Sequence, residues 1–115
     1  MISKWEIWVA NLDPVIGSEQ GKTRPVLIIS NEDVNKLLNI VNVLPITTKK
    51  ESRTNIYPNE VLIESGNFGL NSNSIILCQQ IRTLDKKRMI KKIGIIINQE
   101  KQEEIIEALT FQLIK

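Results

Sequence analysis

Short apolar runs, rich in β-branched residues and separated by turn-forming segments, dominate the first 80 residues of the chain. They cover residues 6–12 (EIWVANL), 25–30 (PVLIIS), 40–47 (IVNVLPIT), 60–64 (EVLIE) and 74–81 (SIILCQQI). Runs of this length predict β-strands, and strands with few helices between them predict an antiparallel sheet or a small barrel. Because proline cannot donate a hydrogen bond to a β-ladder, we expect Pro25 at the first position of its strand and an edge or bulge at Pro45.

Two asparagines are suited to cap helices, since their side chains can accept from free backbone N–H groups. Asn31 is expected to cap a short helix through about residue 38, and Asn98 a helix from Gln99 to Leu113. An apolar stripe at helical spacing in the second helix is formed by Ile105, Ile106, Leu109 and Leu113. This stripe is expected to pack on the sheet or on a partner subunit.

The 115 residues contain no repeat and no linker, which predicts one domain over residues 1–115. No apolar run is long enough to span a bilayer and the N-terminal segment is unlike a signal peptide, so we expect a cytoplasmic protein with no membrane partner. The single cysteine, Cys78, lies in an apolar run and is interpreted as a small buried hydrophobe rather than a reactive thiol.

The chain contains no histidine, and this limits its chemistry more than any other number. Ser-His and Cys-His catalysis and the usual histidine-rich zinc sites are excluded. Any catalysis must use carboxylates, Arg, Lys, Thr, Ser or Tyr, and we expect neither a metal nor another cofactor.

The net charge of +2 is small, but the charges are unevenly distributed. Residues 82–92 hold six cations against Asp85 alone, and Lys49, Lys50 and Arg53 form a second basic cluster. This asymmetry would allow a polyanion to bind one face, although a solvated surface explains the charges equally well.

The segment of residues 13–24 (DPVIGSEQGKTR) is a long polar connection between two predicted strands. Connections of about a dozen residues are usually functional or disordered. This one contains two glycines, Ser18, Glu19, Gln20, Lys22 and Arg24. It is not a phosphate-binding P-loop, because the GxxxxGK[ST] spacing is absent and no helix follows.

Several motifs in this region and beyond it closely resemble the MazF/PemK toxins, which typically begin (G)(E/D)IWxxxLDPxxGSEQxxxRPxLxIS. The matching stretches are EIW at 6–8, NLDP at 11–14, GSEQG at 17–21, TRPVLI at 23–28, LPIT at 44–47 and QIRTLDKKR at 80–88. They follow the family's order through nearly the whole chain. The departures are Trp5, where many members have glycine, and Gln79, where relatives often carry an acidic or small residue.

The resemblance implies an SH3-like small barrel of the CcdB/MazF type, mainly β with helices, that ends in a C-terminal helix. It also implies a homodimeric toxin of a type II toxin–antitoxin system that cleaves single-stranded RNA sequence-selectively and without a metal. In that chemistry the substrate's own 2′-hydroxyl attacks, leaving a 2′,3′-cyclic phosphate and a 5′-hydroxyl, so no histidine is needed. The implied partners are RNA and a cognate antitoxin with an acidic, partly disordered C-terminal segment.

On this resemblance the candidate catalytic residues are Arg24, Thr47 and Glu19. Arg24 would stabilise the negative charge of the transition state, and Thr47 would donate to a phosphate oxygen, with Thr48 the alternative alignment. Glu19 would accept the 2′-proton or orient Arg24. The candidate RNA-binding residues are Ser18, Gln20, Lys22, Thr48, Lys49, Lys50, Arg53 and Gln80.

Two other functions remain open at the level of sequence. A non-catalytic toxin resembling CcdB would poison DNA gyrase through protein contacts, but such chains rely on a C-terminal Trp-Gly-Ile ending. This chain ends TFQLIK, with no tryptophan after Trp8. An RNA-binding module that has lost its activity is the other alternative, although Arg24 and Thr47 both persist.

Overall fold

The structure, a computed structural model, describes all 115 residues and contains seven strands, two α-helices and two short 3₁₀ turns. The elements are β1 (Glu6–Asn11), β2 (Thr23–Ile28), α1 (Glu32–Leu37), β3 (Ile40–Thr48), β4 (Glu60–Ile63), β5 (Ser74–Leu77), β6 (Arg82–Asp85), β7 (Met89–Ile95) and α2 (Gln99–Leu113). The 3₁₀ turns, Cys78–Gln80 and Lys86–Arg88, flank β6. None of the helices has the length and apolar character needed to cross a bilayer.

All strands pair antiparallel in one sheet of order β4-β5-β3-β2-β1-β7, with β6 pairing β3 off this path. The long strand β3 organises the sheet. Its one edge pairs with β2, from Val43 to Pro45. Its other edge pairs first with β6, through Val43, and then with β5, from Ile46 onward. The two halves of the sheet therefore meet on β3.

The two prolines within strands occupy positions where no donor is required. Pro25 is the third residue of β2, not the first as expected. Ile29 donates to the carbonyl of Asn42, so the backbone nitrogens of Ile29, Leu27 and Pro25 all face β3. The pairing between β2 and β3, however, ends at Val26. The nitrogen of Pro25 therefore lies beyond the end of the β2–β3 ladder, where no hydrogen bond is required of it.

Pro45 marks neither a sheet edge nor a bulge. It lies where β3 changes partners, after the pairing with β6 has ended at Val43 and before that with β5 begins at Ile46. By the same alternation its nitrogen faces this gap. The hydrogen-bond ladder along this edge of β3 is therefore interrupted at Pro45, as expected, but the cause is the change of neighbouring strand from β6 to β5.

Two glycines let the loop between β4 and β5 pack against β7, the last strand of the sheet path. A Cβ atom at Gly94 in β7 would lie 1.9 Å from the carbonyl oxygen of Phe68, and one at Gly69 would lie 2.0 Å from that of Ile93. The loop between β4 and β5 therefore contacts β7 backbone to backbone. Only glycine permits this approach, which brings the loop after β4, at one end of the sheet path, against β7 at the other end.

The sheet separates two apolar clusters because side chains alternate along each strand. Val26 and Ile28 enter one cluster with residues of β1, β3 and β6, whereas Leu27 enters the other. The second, larger cluster lies between the sheet and α2, which contributes Ile105 and Ala108. The core thus uses both faces of the strands.

Both helices begin where the sequence predicts. Asn31 and Asn98 accept from backbone N–H groups of the first turns of α1 and α2, and α2 has the predicted bounds. The predicted stripe on α2 is only partly correct. Ile105 is fully buried and Leu109 packs on the core, but Ile106 and Leu113 are 47% and 56% exposed. Ala108, a small residue that hydrophobic periodicity underrates, completes the buried face.

Strands β6 and β7 were not expected, because their lysines and arginines obscure the apolar pattern. Residues 82–92 fold as β6, a 3₁₀ turn and the first part of β7. In β7, Lys91 and Lys92 are exposed on the last strand of the sheet path. Lysines on an edge strand discourage pairing with other chains, which explains a strand with so basic a sequence.

Candidate functional site on the loop between β1 and β2

The polar connection between β1 and β2, residues 12–22, is a loop whose two ends are joined by hydrogen bonds. Leu12 donates to the carbonyl of Lys22 at 2.8 Å. Lys22 in turn donates to Oδ1 of Asp13 at 2.7 Å, and Asp13 donates to Oδ1 of Asn11 at 3.1 Å. Lys22 has a φ of 62°, so its exposed side chain leaves the loop at a sharp backbone turn.

The tip of the loop turns around Gly17, whose φ is 60°. Oε1 of Glu19 accepts from the N–H of Ile16 at 2.8 Å, and the N–H of Glu19 donates back to the carbonyl of Ile16 at 3.3 Å. The carboxylate therefore caps the turn with one oxygen, and its other oxygen is exposed. Glu19 forms no ion pair with Arg24, so an orienting role toward Arg24 finds no contact here.

Arg24 lies in β2, opposite Ala10 of β1, and not in the loop as expected. The strand extends two residues further than the apolar run because Thr23 and Arg24 continue the pairing with β1. Nε of Arg24 donates to the carbonyl of Gly21 at 3.0 Å. No carboxylate lies within 4.0 Å of its guanidinium. Its two Nη atoms are therefore free to bind an anion.

Thr47 lies near the end of β3, opposite Ile75 of β5, and is half-buried. The β2–β3 pairing ends with Val26 opposite Pro45, and Arg24 and Thr47 each lie two residues beyond that last pair, Arg24 before Val26 and Thr47 after Pro45. Both therefore lie at the same end of the sheet, and by alternation on the same face. Thr48, opposite Ser74, points to the other face and is exposed.

The basic cluster after β3 is divided by its contacts. Arg53 forms an ion pair with the buried carboxylate of Glu60, and its guanidinium lies 5.1 Å from the ring centre of Tyr57. Lys49 donates to the carbonyl of Lys50 at 3.4 Å, and neither lysine pairs with a carboxylate. Lys49 and Lys50 are therefore available to phosphates, whereas the charge of Arg53 is compensated.

Three of the candidate RNA-binding residues meet at one side of the loop. Nε2 of Gln80 donates to the carbonyl of Ser18 at 3.1 Å, and its Oε1 accepts from the N–H of Gln20 at 3.4 Å. The hydroxyl of Ser18 and the amide of Gln20 form no hydrogen bond within the protein. These two side chains are therefore free to contact a ligand, whereas both polar atoms of Gln80 contact the loop.

Sequence reasoning did not assign a role in this site to Arg82 or Arg88. Nη1 of Arg82 donates to the carbonyl of Leu12 at 2.8 Å, and Nη1 of Arg88 donates to the carbonyls of Asn11 and Asp13. The only sequence signal was their membership of the QIRTLDKKR stretch. Their place in a basic run left open whether they bind a polyanion or form a solvated surface.

Cys78 is fully buried, as interpreted from the sequence. Burial raises the pKa of its thiol to about 11, and the negative charge of Glu60 contributes to the increase. No group of three or more His, Cys, Asp or Glu side chains comes together in the chain. The thiol is therefore a packing group under ordinary conditions.

The largest concave regions of the surface, about 350 and 250 Å³, both lie along α2. Neither contains a residue of the loop, Arg24 or Thr47. The surface around Arg24 is therefore open, which suits an extended polymer better than a small enclosed ligand. It presents a guanidinium with free Nη atoms and, at the same end of the sheet, a hydroxyl, groups that together can hold a phosphodiester. The carboxylate of Glu19 lies in the turn of the adjoining loop.

Comparison with known proteins supports the same interpretation of the fold. Residues 3–113 match the family model of the PemK-like, MazF-like toxins of type II toxin–antitoxin systems. The Mycobacterium tuberculosis toxin MazF-mt6 is 29% identical with a TM-score of 0.74, covering 93% of this chain and 94% of that chain. MazF from Deinococcus radiodurans is 23% identical with a TM-score of 0.79, covering 97% of this chain and 96% of that chain. A mycobacterial endoribonuclease in complex with its cognate antitoxin is 21% identical with a TM-score of 0.77, covering 98% and 95%. The expected fold class is thus confirmed.

Proposed function

Since the chain belongs to the PemK-like, MazF-like family of type II toxin–antitoxin toxins, we propose that it is an endoribonuclease that cleaves single-stranded RNA sequence-selectively and without a metal ion. The observation that carries the proposal is the state of Arg24. Its guanidinium is anchored through Nε, is unpaired at both Nη atoms and lies at the same end of the sheet as Thr47. A scissile phosphate is the ligand that this arrangement fits best.

In the proposed reaction the 2′-oxygen of the substrate attacks the adjacent phosphorus, and the bond from phosphorus to the 5′-oxygen breaks. The exposed oxygen of Glu19 accepts the 2′-proton, and water protonates the departing 5′-oxygen. The guanidinium of Arg24 stabilises the negative charge that develops on the phosphate. The hydroxyl of Thr47 donates to one of the same oxygens. The products are a 2′,3′-cyclic phosphate and a 5′-hydroxyl.

The RNA contacts follow from which polar groups are free. The side chains of Ser18 and Gln20 are placed to contact base edges in a single strand. Lys22, Lys49 and Lys50 would follow the phosphate backbone on either side of the scissile bond. Thr48, on the opposite face of β3 from Thr47, would contact RNA only away from that bond. Arg53, which is paired with Glu60, would act by holding the segment after β3 in place.

The test is incubation of the purified protein with a long RNA in EDTA, followed by chemical analysis of the new ends. We expect cleavage, with cyclic phosphate and 5′-hydroxyl ends. Activity that EDTA abolishes and magnesium restores would contradict the metal-independent mechanism. Intact RNA together with inhibited supercoiling by DNA gyrase would favour a CcdB-like toxin instead.

We also propose two protein partners: a second copy of this chain and an acidic antitoxin segment that folds on binding. The charges support the second partner, because carboxylates would compete with RNA phosphates for Arg24, Lys49 and Lys50. The mycobacterial endoribonuclease with the same fold was solved with its cognate antitoxin. Light scattering tests the dimer, which a strict 13.1 kDa monomer at micromolar concentration would contradict. Competition between RNA and the acidic segment tests the shared surface.

A further inference from the structure

One short stretch of the chain, residues 80–88, donates four of the hydrogen bonds that hold the loop between β1 and β2. Gln80 donates to the carbonyl of Ser18 and accepts from the N–H of Gln20. Arg82 donates to the carbonyl of Leu12, and Arg88 donates to the carbonyls at positions 11 and 13. The start of the loop and its returning arm are therefore attached to the same stretch.

This stretch is itself fixed to the strand that carries Thr47. All four residues of β6 pair with β3, from Asp85 opposite Ile40 to Arg82 opposite Val43. A side-chain hydrogen bond from Nδ2 of Asn42 to Oγ1 of Thr83, 2.8 Å long, reinforces the pair. The loop is thus attached, through β6, to the same strand that positions Thr47.

Neither Arg82 nor Arg88 forms an ion pair with a carboxylate. Their guanidinium groups donate instead to backbone carbonyls, and such charge-assisted hydrogen bonds are stronger and more directional than neutral ones. A guanidinium offers several donors in a fixed plane, so Arg88 can bind the last carbonyl of β1 and a carbonyl at the start of the loop at once. The two arginines therefore hold the start of the loop in place through its backbone carbonyls.

We propose that Gln80, Arg82 and Arg88 are positioning residues that hold the loop in the conformation that presents Glu19 to RNA and, through the carbonyl of Gly21, orients Arg24 of the adjoining strand β2. Gln80 then acts by bracing the loop and not by reading a base. The inference rests on the proposed ribonuclease function for its kinetic consequence, but its structural consequence can be measured without RNA.

The structural test is amide hydrogen exchange on the free protein. Gln80→Ala should speed exchange at the N–H of Gln20 about five- to tenfold, the change expected for one lost hydrogen bond. Exchange within α2 should not change. The matched control is Gln79→Ala, since Gln79 is an adjacent glutamine whose amide faces Glu60 instead of the loop. Equal exchange at Gln20 in both variants would overturn the proposal.

The kinetic test separates positioning from RNA contact. Gln80→Ala and Arg82→Lys should each lower kcat by roughly 10- to 100-fold, the size of effect that a misplaced reacting group produces, with KM changed less than threefold. Arg82→Lys keeps the charge, so a purely electrostatic role would preserve kcat and contradict the proposal. A raised KM or a new cleavage motif with unchanged kcat in Gln80→Ala would show that Gln80 reads RNA.

The two proposals fail in different ways. If the unmodified protein does not cut RNA while Gln80→Ala still loosens the loop, the ribonuclease function is wrong and the bracing of the loop stands. If the unmodified protein cuts RNA and the loop exchanges at the same rate in Gln80→Ala, the bracing role is wrong and the nuclease stands.

Discussion

Nε of Arg24 donates to the carbonyl oxygen of Gly21 at 3.0 Å, and this single contact fixes the guanidinium while leaving both Nη atoms free. An arginine held by an ion pair would have to give up that partner before binding a phosphate. Arg24 has no such partner, so the arrangement needs little rearrangement to receive an anion. The backbone of the loop thus orients a guanidinium that the adjoining strand β2 carries.

Replacing Arg24 by alanine should reduce RNA cleavage at least about a hundredfold, the loss typical of removing one transition-state donor. Arg24→Lys should lose nearly as much, because an ammonium cannot bind two phosphate oxygens side by side. Lys22→Ala is the matched comparison, since it removes a neighbouring cation and should raise KM with little change in kcat. Single-turnover cleavage measures the effect, and a melting curve checks that the variant is folded. Full activity in a folded Arg24→Ala protein would contradict the assignment.

The neighbouring threonines Thr47 and Thr48 offer a test within one strand. They face opposite sides of β3, and only Thr47 shares a face with Arg24. We expect Thr47→Ala to lower kcat at least about tenfold, and Thr48→Ala to act mainly on KM. Thr47→Ser should restore most of the activity because it keeps the hydroxyl. The opposite ranking of the two alanine variants would mean that Thr48 is the donor.

The sequence predicted what depends on local pattern and missed what depends on contacts across the sheet. The five apolar strands and both helix caps follow from periodicity and side-chain chemistry, and the structure has them. The sequence did not predict β7, because this edge strand carries Lys91 and Lys92 where a buried strand would have apolar residues.

The candidate site shows the same division. Arg24 and Glu19 could be selected from their motif. The motif did not indicate that Arg24 lies in a strand or that Glu19 caps a turn. Arg53 looked equivalent to Lys49 in sequence, yet it pairs with Glu60, a residue that only the fold brings to it. Periodicity and motif choose residue types, whereas contacts that form only in the folded chain decide which charges remain free.

Glu6 should make the stability of the fold depend on pH in the acid range. Burial alone would raise the pKa of this carboxyl, but donors from Trp8, Lys92 and the N–H of Ser3 outweigh it and hold the pKa below its ordinary 4.5. The unfolded chain therefore binds the proton more tightly. The stabilisation is fully present above about pH 4.5 and is lost as the pH falls through the lower folded value.

Glu6→Gln should therefore cost roughly 1–2 kcal/mol at pH 7, because the amide cannot pair with Lys92. The difference from the unmodified protein should shrink on acidification below about pH 4.5, where Glu6 itself becomes neutral. Urea unfolding over a series of pH values gives the measurement, with the exposed Glu100→Gln as control. A difference that stays constant down to acid pH would contradict the role of the ionised carboxylate.

Cys78 should resist alkylation in the folded protein. With a thiol pKa of about 11, on the order of one molecule in a thousand carries a thiolate at pH 8, and burial also blocks access. Iodoacetamide followed by mass spectrometry should show no labelling of the native chain and complete labelling in urea. Rapid labelling of the native protein would mean that this part of the core opens readily.

The close backbone contact between β7 and the loop after β4 predicts that a small substitution there lowers the free energy of unfolding unusually strongly. A Cβ at Gly94 would lie 1.9 Å from the carbonyl oxygen of Phe68, a backbone atom that cannot rotate away, so Gly94→Ala must separate β7 from the loop. We expect a loss of about 3 kcal/mol or more, in the range of severe single substitutions. Gly66→Ala is the control, because its Cβ meets open space and its φ of 87° alone should cost about 1 kcal/mol. Urea unfolding of the two variants compares them directly. Equal losses would show that β7 and the loop do not pack this closely.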